Sequence, residues 1–226
     1  GELTKLLGER AKKVIAIEKD RALIPALKDK FKNNKNIEIV EGDILKYKIS
    51  NLKSNYKIVA NIPYYITSRF LKNSLTAKNK PELIVLMVQY EVAKRISARP
   101  PDMNLLALSA GAYGDIKFVK KVSRGNFSPA PKVDSAIIKI SNISDNFFKE
   151  NKISEKVFFE TIRKAFQQKR KMLRHSLKSD FRDPRSRTSG LFGKRRPEEL
   201  SLEDWVRIVR LPGASANSSK WIPNRR

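Results

Sequence analysis

Four residues near the middle of the first half of the chain, Asn61-Ile62-Pro63-Tyr64, combine groups that suit one kind of chemistry. An amino nitrogen on an adenine ring is a poor nucleophile because its lone pair is delocalised into the ring. Acceptors on its two N–H bonds favour the tetrahedral geometry that attack requires, and a side-chain amide oxygen and a backbone carbonyl can be those acceptors. Asn61 supplies the amide and Ile62 the carbonyl, Pro63 holds the turn, and Tyr64 offers a flat face on which a base stacks. The same residue types also make a plain turn, so the motif depends on its setting. It directly follows the apolar run Ile58-Val59-Ala60, which puts it at the carboxyl end of a strand, where open α/β sheets bind ligands.

Two carboxylates occupy comparable places. Glu18 ends Val14-Ile15-Ala16-Ile17, and an acidic residue there accepts hydrogen bonds from ribose hydroxyls. Asp43 follows Ile37 to Val40 and can accept from the amino group of a bound adenine. Singly, each also reads as a solvated strand-end or turn carboxylate. Together, Glu18, Asp43 and Asn61 terminate successive expected strands, which should line one sheet edge with polar groups. A further candidate lies in Asn126-Phe127-Ser128-Pro129-Ala130-Pro131-Lys132, where two prolines stiffen a loop presenting Phe127, either to stack on a base or to pack into the core.

The elements that must position these residues alternate along residues 1–144. Strands are expected over Val14 to Glu18, Ile37 to Val40, Tyr56 to Ala60, Leu83 to Val88, Ile116 to Val122 and Val133 to Ile140. Helices are expected over Ala22 to Phe31, Ser68 to Leu75, Glu91 to Ala98 and Leu105 to Ala112. The last two strands, joined only by the Ser123 to Lys132 loop, should form an antiparallel hairpin at a sheet edge. This is the pattern of an α/β sheet with helices on both faces. Asn142 to Asn151 reads as a linker, residues 150–211 as a small all-helical domain with helices over Ser154 to Lys178 and Ser201 to Val209, and Asp180 to Gly190 as a loop. Residues 212–226 read as an unstructured tail.

Composition sets the partner class. Of 226 residues, 48 are Lys or Arg and 23 Asp or Glu, a net charge of +25, which calls for a polyanion and favours nucleic acid over an anionic membrane. On a helix from Ser154 to Lys178, 100° steps put Phe158, Ile162, Ala165, Phe166, Leu173 and Leu177 on one arc, with Lys169 intruding on it. Arg163, Arg170, Arg174 and Lys178 fall on the other side with Lys164 and Lys171 beside them, and no acid interrupts Thr161 to Lys178. That stripe is expected to dock RNA rather than serve only as a solubilising face. With no cysteine there is no disulfide or thiolate zinc site, and one histidine, His175, cannot build a multi-histidine metal site. No apolar run has the length of a membrane span and no signal-peptide pattern opens the chain, so the expectation is a soluble, unexported protein.

In kind and order, several segments resemble the ribosomal RNA small-subunit adenine dimethyltransferases, the KsgA type. These are Val14 to Glu18, Glu41-Gly42-Asp43, Asn61 to Ser68, Met87 to Ala93, Phe127 to Ala136, Ala165 to Arg174 and Arg196 to Ser201. The resemblance runs from residue 1 to about Arg210. It implies a Rossmann-like methyltransferase domain and an enzyme dependent on S-adenosylmethionine. Such an enzyme places two methyls on N6 of each of two adjacent adenosines near the 3′ end of small-subunit rRNA, in the immature small ribosomal subunit. By that analogy Glu18 holds the cofactor ribose and Asp43 its adenine, Asn61 sits between methyl donor and target, and Tyr64 and Phe127 sandwich a flipped-out base. No metal is implied, because the sulfonium carries its own leaving group. A cytoplasmic monomer is the expectation.

The family also has a first strand and Gly-rich turn ahead of Leu3-Thr4, of which Gly1 is at most the last glycine. The resemblance therefore implies an N-terminally incomplete member, with apolar edges exposed on the two strands that would flank the first. Two other readings share the scaffold: a large-subunit rRNA adenine N6-methyltransferase of the macrolide-resistance type, and a non-catalytic RNA-binding assembly factor.

Overall fold

The computed structural model describes residues 1–47, 55–168, 170–177, 190 and 192–210. Six strands form as the apolar runs dictate: β1 (Val14–Glu18), β2 (Ile37–Glu41), β3 (Lys57–Asn61), β4 (Leu83–Gln89), β5 (Asp115–Val122) and β6 (Ser135–Ser141). They make two sheets rather than one. β1 and β2 pair in parallel as a two-stranded sheet, and the other four follow the order β3-β4-β6-β5. β3 and β4 run parallel, whereas β6 is antiparallel to both β4 and β5. The expected hairpin is thus confirmed, with β5 outermost and a register shift between Phe118 and Lys120. Among the described residues, β1 and β3 each have a partner on one side only.

The centre of the larger sheet is β4, whose Ile84, Leu86 and Val88 are fully buried. Register sets them opposite Ile140, Ile138 and Ala136 of β6, so both strands turn one apolar face to the same core. Against the sheets lie α1 (Glu2–Gly8), α2 (Ile24–Lys30), α3 (Thr67–Leu75), α4 (Tyr90–Ile96) and α5 (Leu105–Gly111). α5 starts where Asn104 accepts hydrogen bonds from the Leu106 and Ala107 amides. Pro25 sits in the first turn of α2, where its missing N–H costs nothing.

The C-terminal portion contains α6 (Asn146–Glu150), α7 (Glu155–Phe166), α8 (Leu173–Ser176) and α9 (Leu202–Val209). α9 opens with a capping box between Ser201 and Asp204 and buries Trp205 completely. Its core is continuous with that of the sheet, since Phe158, Ile162, Leu173 and Trp205 belong to the same buried cluster as Ile84 and Leu108.

Three expectations are corrected. Helix α1 forms where none was foreseen. The supposed linker over Asn142 to Asn151 contains α6, because Phe147 and Phe148 have aromatic partners in Phe158, Phe159 and Tyr113 that a polar linker would not supply. The long helix over Ser154 to Lys178 is broken: α7 ends at Phe166, and a separate turn begins after Met172. The amides of Leu173 and Arg174 donate to the Arg195 and Gly193 carbonyls instead of to a preceding helical turn. An uncompensated run of cations adds nothing to hold a helix across the gap. Lys169, Lys178, the loop expected over Asp180 to Gly190 apart from Gly190 itself, and the 212–226 tail lie outside the described residues.

Candidate active site

Two groups of residues sit at carboxyl ends of parallel strands, one on each sheet. In the first, β1 and β2 end side by side with Glu18 opposite Glu41, and the Gly42 amide donates to the Glu18 carbonyl at 2.8 Å. Glu18 Oε1 accepts from the Lys19 and Asp20 amides, both at 2.8 Å, which fixes the carboxylate and leaves Oε2 without a partner among the described residues. Asp43 Oδ1 accepts from the Leu45 amide at 2.9 Å, and Oδ2 lies 3.3 Å from the Lys19 ammonium. The Leu45 amide, and after it Lys19, hold the Asp43 carboxyl below the usual carboxylate range despite opposing desolvation. Two oriented carboxylates a strand apart suit the hydroxyl and amino donors of a nucleoside. Lys19, which ties the pair together, drew no notice in the sequence.

The second group is built on β3, β4 and β6. Asn61 closes β3 beside Met87 of β4, is exposed, and its side-chain amide has no hydrogen-bond partner among the described residues. Ile62 is buried and anchors the motif in the core, while its carbonyl accepts no hydrogen bond among the described residues. The Pro63 carbonyl accepts from the Ile66 amide at 3.1 Å, turning Tyr64–Ile66 into a 3-10 turn that runs straight into α3. The Tyr64 hydroxyl and Ser135 Oγ are 2.6 Å apart. Ser135 is fully buried and opposite Gln89, so β6 pins the ring against the end of β4. Two acceptors and a fixed aromatic face thus sit on neighbouring residues at one strand end.

Phe127 follows a 3-10 turn, Arg124–Asn126, and is half-buried. It is absent from the hydrophobic cluster and from the partly buried side chains packed on it, and no ring contact engages it among the described residues. The core-packing alternative therefore loses its ground. What holds the loop is Asp134: it accepts from the Arg124 amide at 3.0 Å, pairs with Lys121 at 2.8 Å, and its carbonyl accepts from the Tyr90 amide. Lys121, then the Arg124 amide, hold the Asp134 carboxyl below the usual range. Sequence reading included Asp134 and Ser135 in a motif without giving either a role.

The expectation that Glu18, Asp43 and Asn61 line one continuous edge is corrected: β2 and β3 do not pair, so the first two share a sheet and Asn61 stands on the other. The basic stripe is corrected too. Lys164, Arg170, Lys171 and Arg174 are exposed, but the break after Phe166 removes them from one straight face. Arg163 is half-buried, and the electrostatics of Lys72 register its charge alongside that of Arg69 on α3. Lys178 is outside the described residues. No helix among the described residues is long and apolar enough to cross a membrane.

Comparison with known proteins bears on the whole of this arrangement. A family model described as ribosomal RNA adenine dimethylase matches residues 1–211. The chain is 42% identical over 217 residues to the ribosomal RNA small subunit methyltransferase A of Dehalococcoides mccartyi (strain CBDB1), covering 92% of this chain and 74% of that protein. Among solved structures, a dimethyladenosine transferase from Plasmodium falciparum superposes with a TM-score of 0.77 at 25% identity, over 92% of this chain and 84% of the other. The 23S rRNA methyltransferase ErmE superposes with 0.76 at 26% identity, over 92% and 85%.

Proposed function

The chain belongs to the ribosomal RNA adenine dimethylase family, and from that premise we propose that it methylates N6 of two adjacent adenosines near the 3′ end of small-subunit rRNA, using S-adenosylmethionine. The observation that carries the reading is the Asn61 amide and Ile62 carbonyl, both without partners among the described residues, beside a Tyr64 ring fixed by Ser135.

In this reading Glu18 and Asp43 receive the ribose and adenine of the cofactor, and their donor set fits those groups. When bound, S-adenosylmethionine supplies an electrophilic methyl on a sulfonium. The Asn61 oxygen and Ile62 carbonyl accept the two N–H bonds of the target amino group and so localise its lone pair for attack. Tyr64 and Phe127 hold the extruded base from its two faces. The substrate nitrogen becomes acidic once it carries the new methyl, and its proton passes to water, so no strong base is needed. Residues 1–144 then form the catalytic part and residues 150–211 the part that brings Lys164, Arg170, Lys171 and Arg174 to the RNA. The setting is a cytoplasmic one, with the immature small ribosomal subunit as partner.

The large-subunit reading is disfavoured because the 42% relative is named for the small subunit, whereas the likeness to ErmE is at 26% identity. A non-catalytic role is disfavoured by the unencumbered acceptors. Incubating the protein with labelled S-adenosylmethionine and immature small subunits, and mapping the label, tests the reading. Label on the adjacent adenosines supports it, and RNA binding without transfer supports the assembly factor instead.

A further inference from the structure

Between the motif at Asn61 and the helical part runs a surface that the reading above does not use. Tyr65 follows the pinned Tyr64 on the same 3-10 turn, yet 82% of its surface is exposed, the most of any large apolar side chain among the described residues. Because that turn continues into α3, helical spacing sets Arg69 four residues on and Lys72 three beyond it, along one side. Arg69 is exposed and Lys72 half-buried. Desolvation, then the charge of Arg163, then that of Arg69, hold the Lys72 ammonium below its ordinary range. Arg163 arrives from α7, and its Nη2 is buried with no acceptor among the described residues.

Ordinary solvated faces mix signs. On the α3 side no acidic residue occurs from Ile44 to Pro81, a stretch with eight cations, while α7 brings Glu160 one turn before Arg163. A guanidinium nitrogen buried without an acceptor leaves a strong donor unsatisfied, and gathering like charges around it adds repulsion. A phosphate against the accessible parts of these side chains supplies the opposite charge that relieves the repulsion. An exposed aromatic ring at the head of the same row adds a platform for a base.

We propose that Tyr65, Arg69, Lys72 and Arg163 form a single track for the RNA strand leading away from the reacting adenosine, with a neighbouring base on Tyr65 and backbone phosphates on the three cations. The proposal rests on the functional reading above and extends the RNA contact from the helical part onto the catalytic part. It also gives Arg163 a role at the seam between α3 and α7 instead of on an outer stripe.

The test is titration of the full chain with a labelled RNA carrying the 3′-terminal hairpin and adjacent adenosines of small-subunit rRNA, at several salt concentrations. Arg69→Gln and Arg163→Gln should each lower the salt slope of binding by about 0.7 to 0.9. Tyr65→Ala should weaken binding about 5- to 150-fold, the range for one base–aromatic stack, while Tyr65→Phe keeps the wild-type affinity. Should Arg163→Gln fail to fold, the exposed Arg69→Gln carries the charge arm alone. An unchanged slope in Arg69→Gln, or unchanged affinity in Tyr65→Ala, overturns the track. If the wild type binds and methylates while those variants behave like it, only this inference falls; if the wild type does not bind the RNA, the functional reading falls with it.

Discussion

Phe127 belongs neither to the hydrophobic core nor to the side chains packed on it, so its removal should cost substrate contact and little folding energy. Phe127→Ala is expected to weaken engagement of the target base by about 1 to 3 kcal/mol, with a thermal midpoint close to that of the wild type. Unchanged base engagement together with a large loss of stability would return Phe127 to the core. The placement of Asn61 and Tyr64 at a strand end is legible because the apolar run Ile58 to Ala60 directly precedes them. Ser135 was not, since a serine opening a strand resembles any other until the β4–β6 register brings it 2.6 Å from the Tyr64 hydroxyl. Tyr65 was equally silent, because exposure is a property of the folded turn and not of the residue type.

At the scale of elements, the loop that carries Phe127 depends on one carboxylate. Asp134 binds the Arg124 amide and Lys121, and the partners depress its folded pKa below the ordinary 3.8. The sign follows from that depression: the contribution is complete above the unfolded value and is lost as pH falls through the folded one. Hydrogen exchange at the Arg124 amide should therefore be fast in Asp134→Ala at neutral pH and slow in the wild type. The wild type should lose that protection only in acid, below about pH 4; equal exchange in the two proteins at neutral pH would remove Asp134 from its anchoring role. The strands were legible to within a residue or two from β-branched runs. The extent of α7 was not, because its apolar arc stays in phase as far as Leu177, while the bonds that end the helix come from Arg195 and Gly193, about twenty residues further along. Such tertiary donors and acceptors leave no local trace. Phe147 and Phe148 look like linker residues in the sequence for a related reason: what makes them helical is the aromatic cluster that receives them.

Across the described residues the sheet and the C-terminal helices share one core, and Tyr113 joins them. Its hydroxyl donates to Glu155 at 2.5 Å, and its ring stacks on Phe159. Burial first, and Glu155 second, push the Tyr113 phenol far above its ordinary range; burial alone pushes Tyr56 up to about 12. Both contributions are complete below the unfolded value near 10 and are lost as pH rises above it, because the unfolded chain ionises first. The wild type should consequently lose stability above about pH 10 more steeply than Tyr113→Phe, as denaturant midpoints across that range will show; parallel curves would mean that Tyr113 does not bridge the parts through its hydroxyl. The central claim is that this shared framework brings RNA to a methyl-transfer site whose chemistry resides in Asn61 and not in RNA affinity. Its most direct measurement is single-turnover methyl transfer to small-subunit RNA by Asn61→Ala, paired with RNA affinity for the same variant. The account predicts a loss of transfer of roughly a hundredfold or more with RNA affinity nearly unchanged; transfer at the wild-type rate would contradict it.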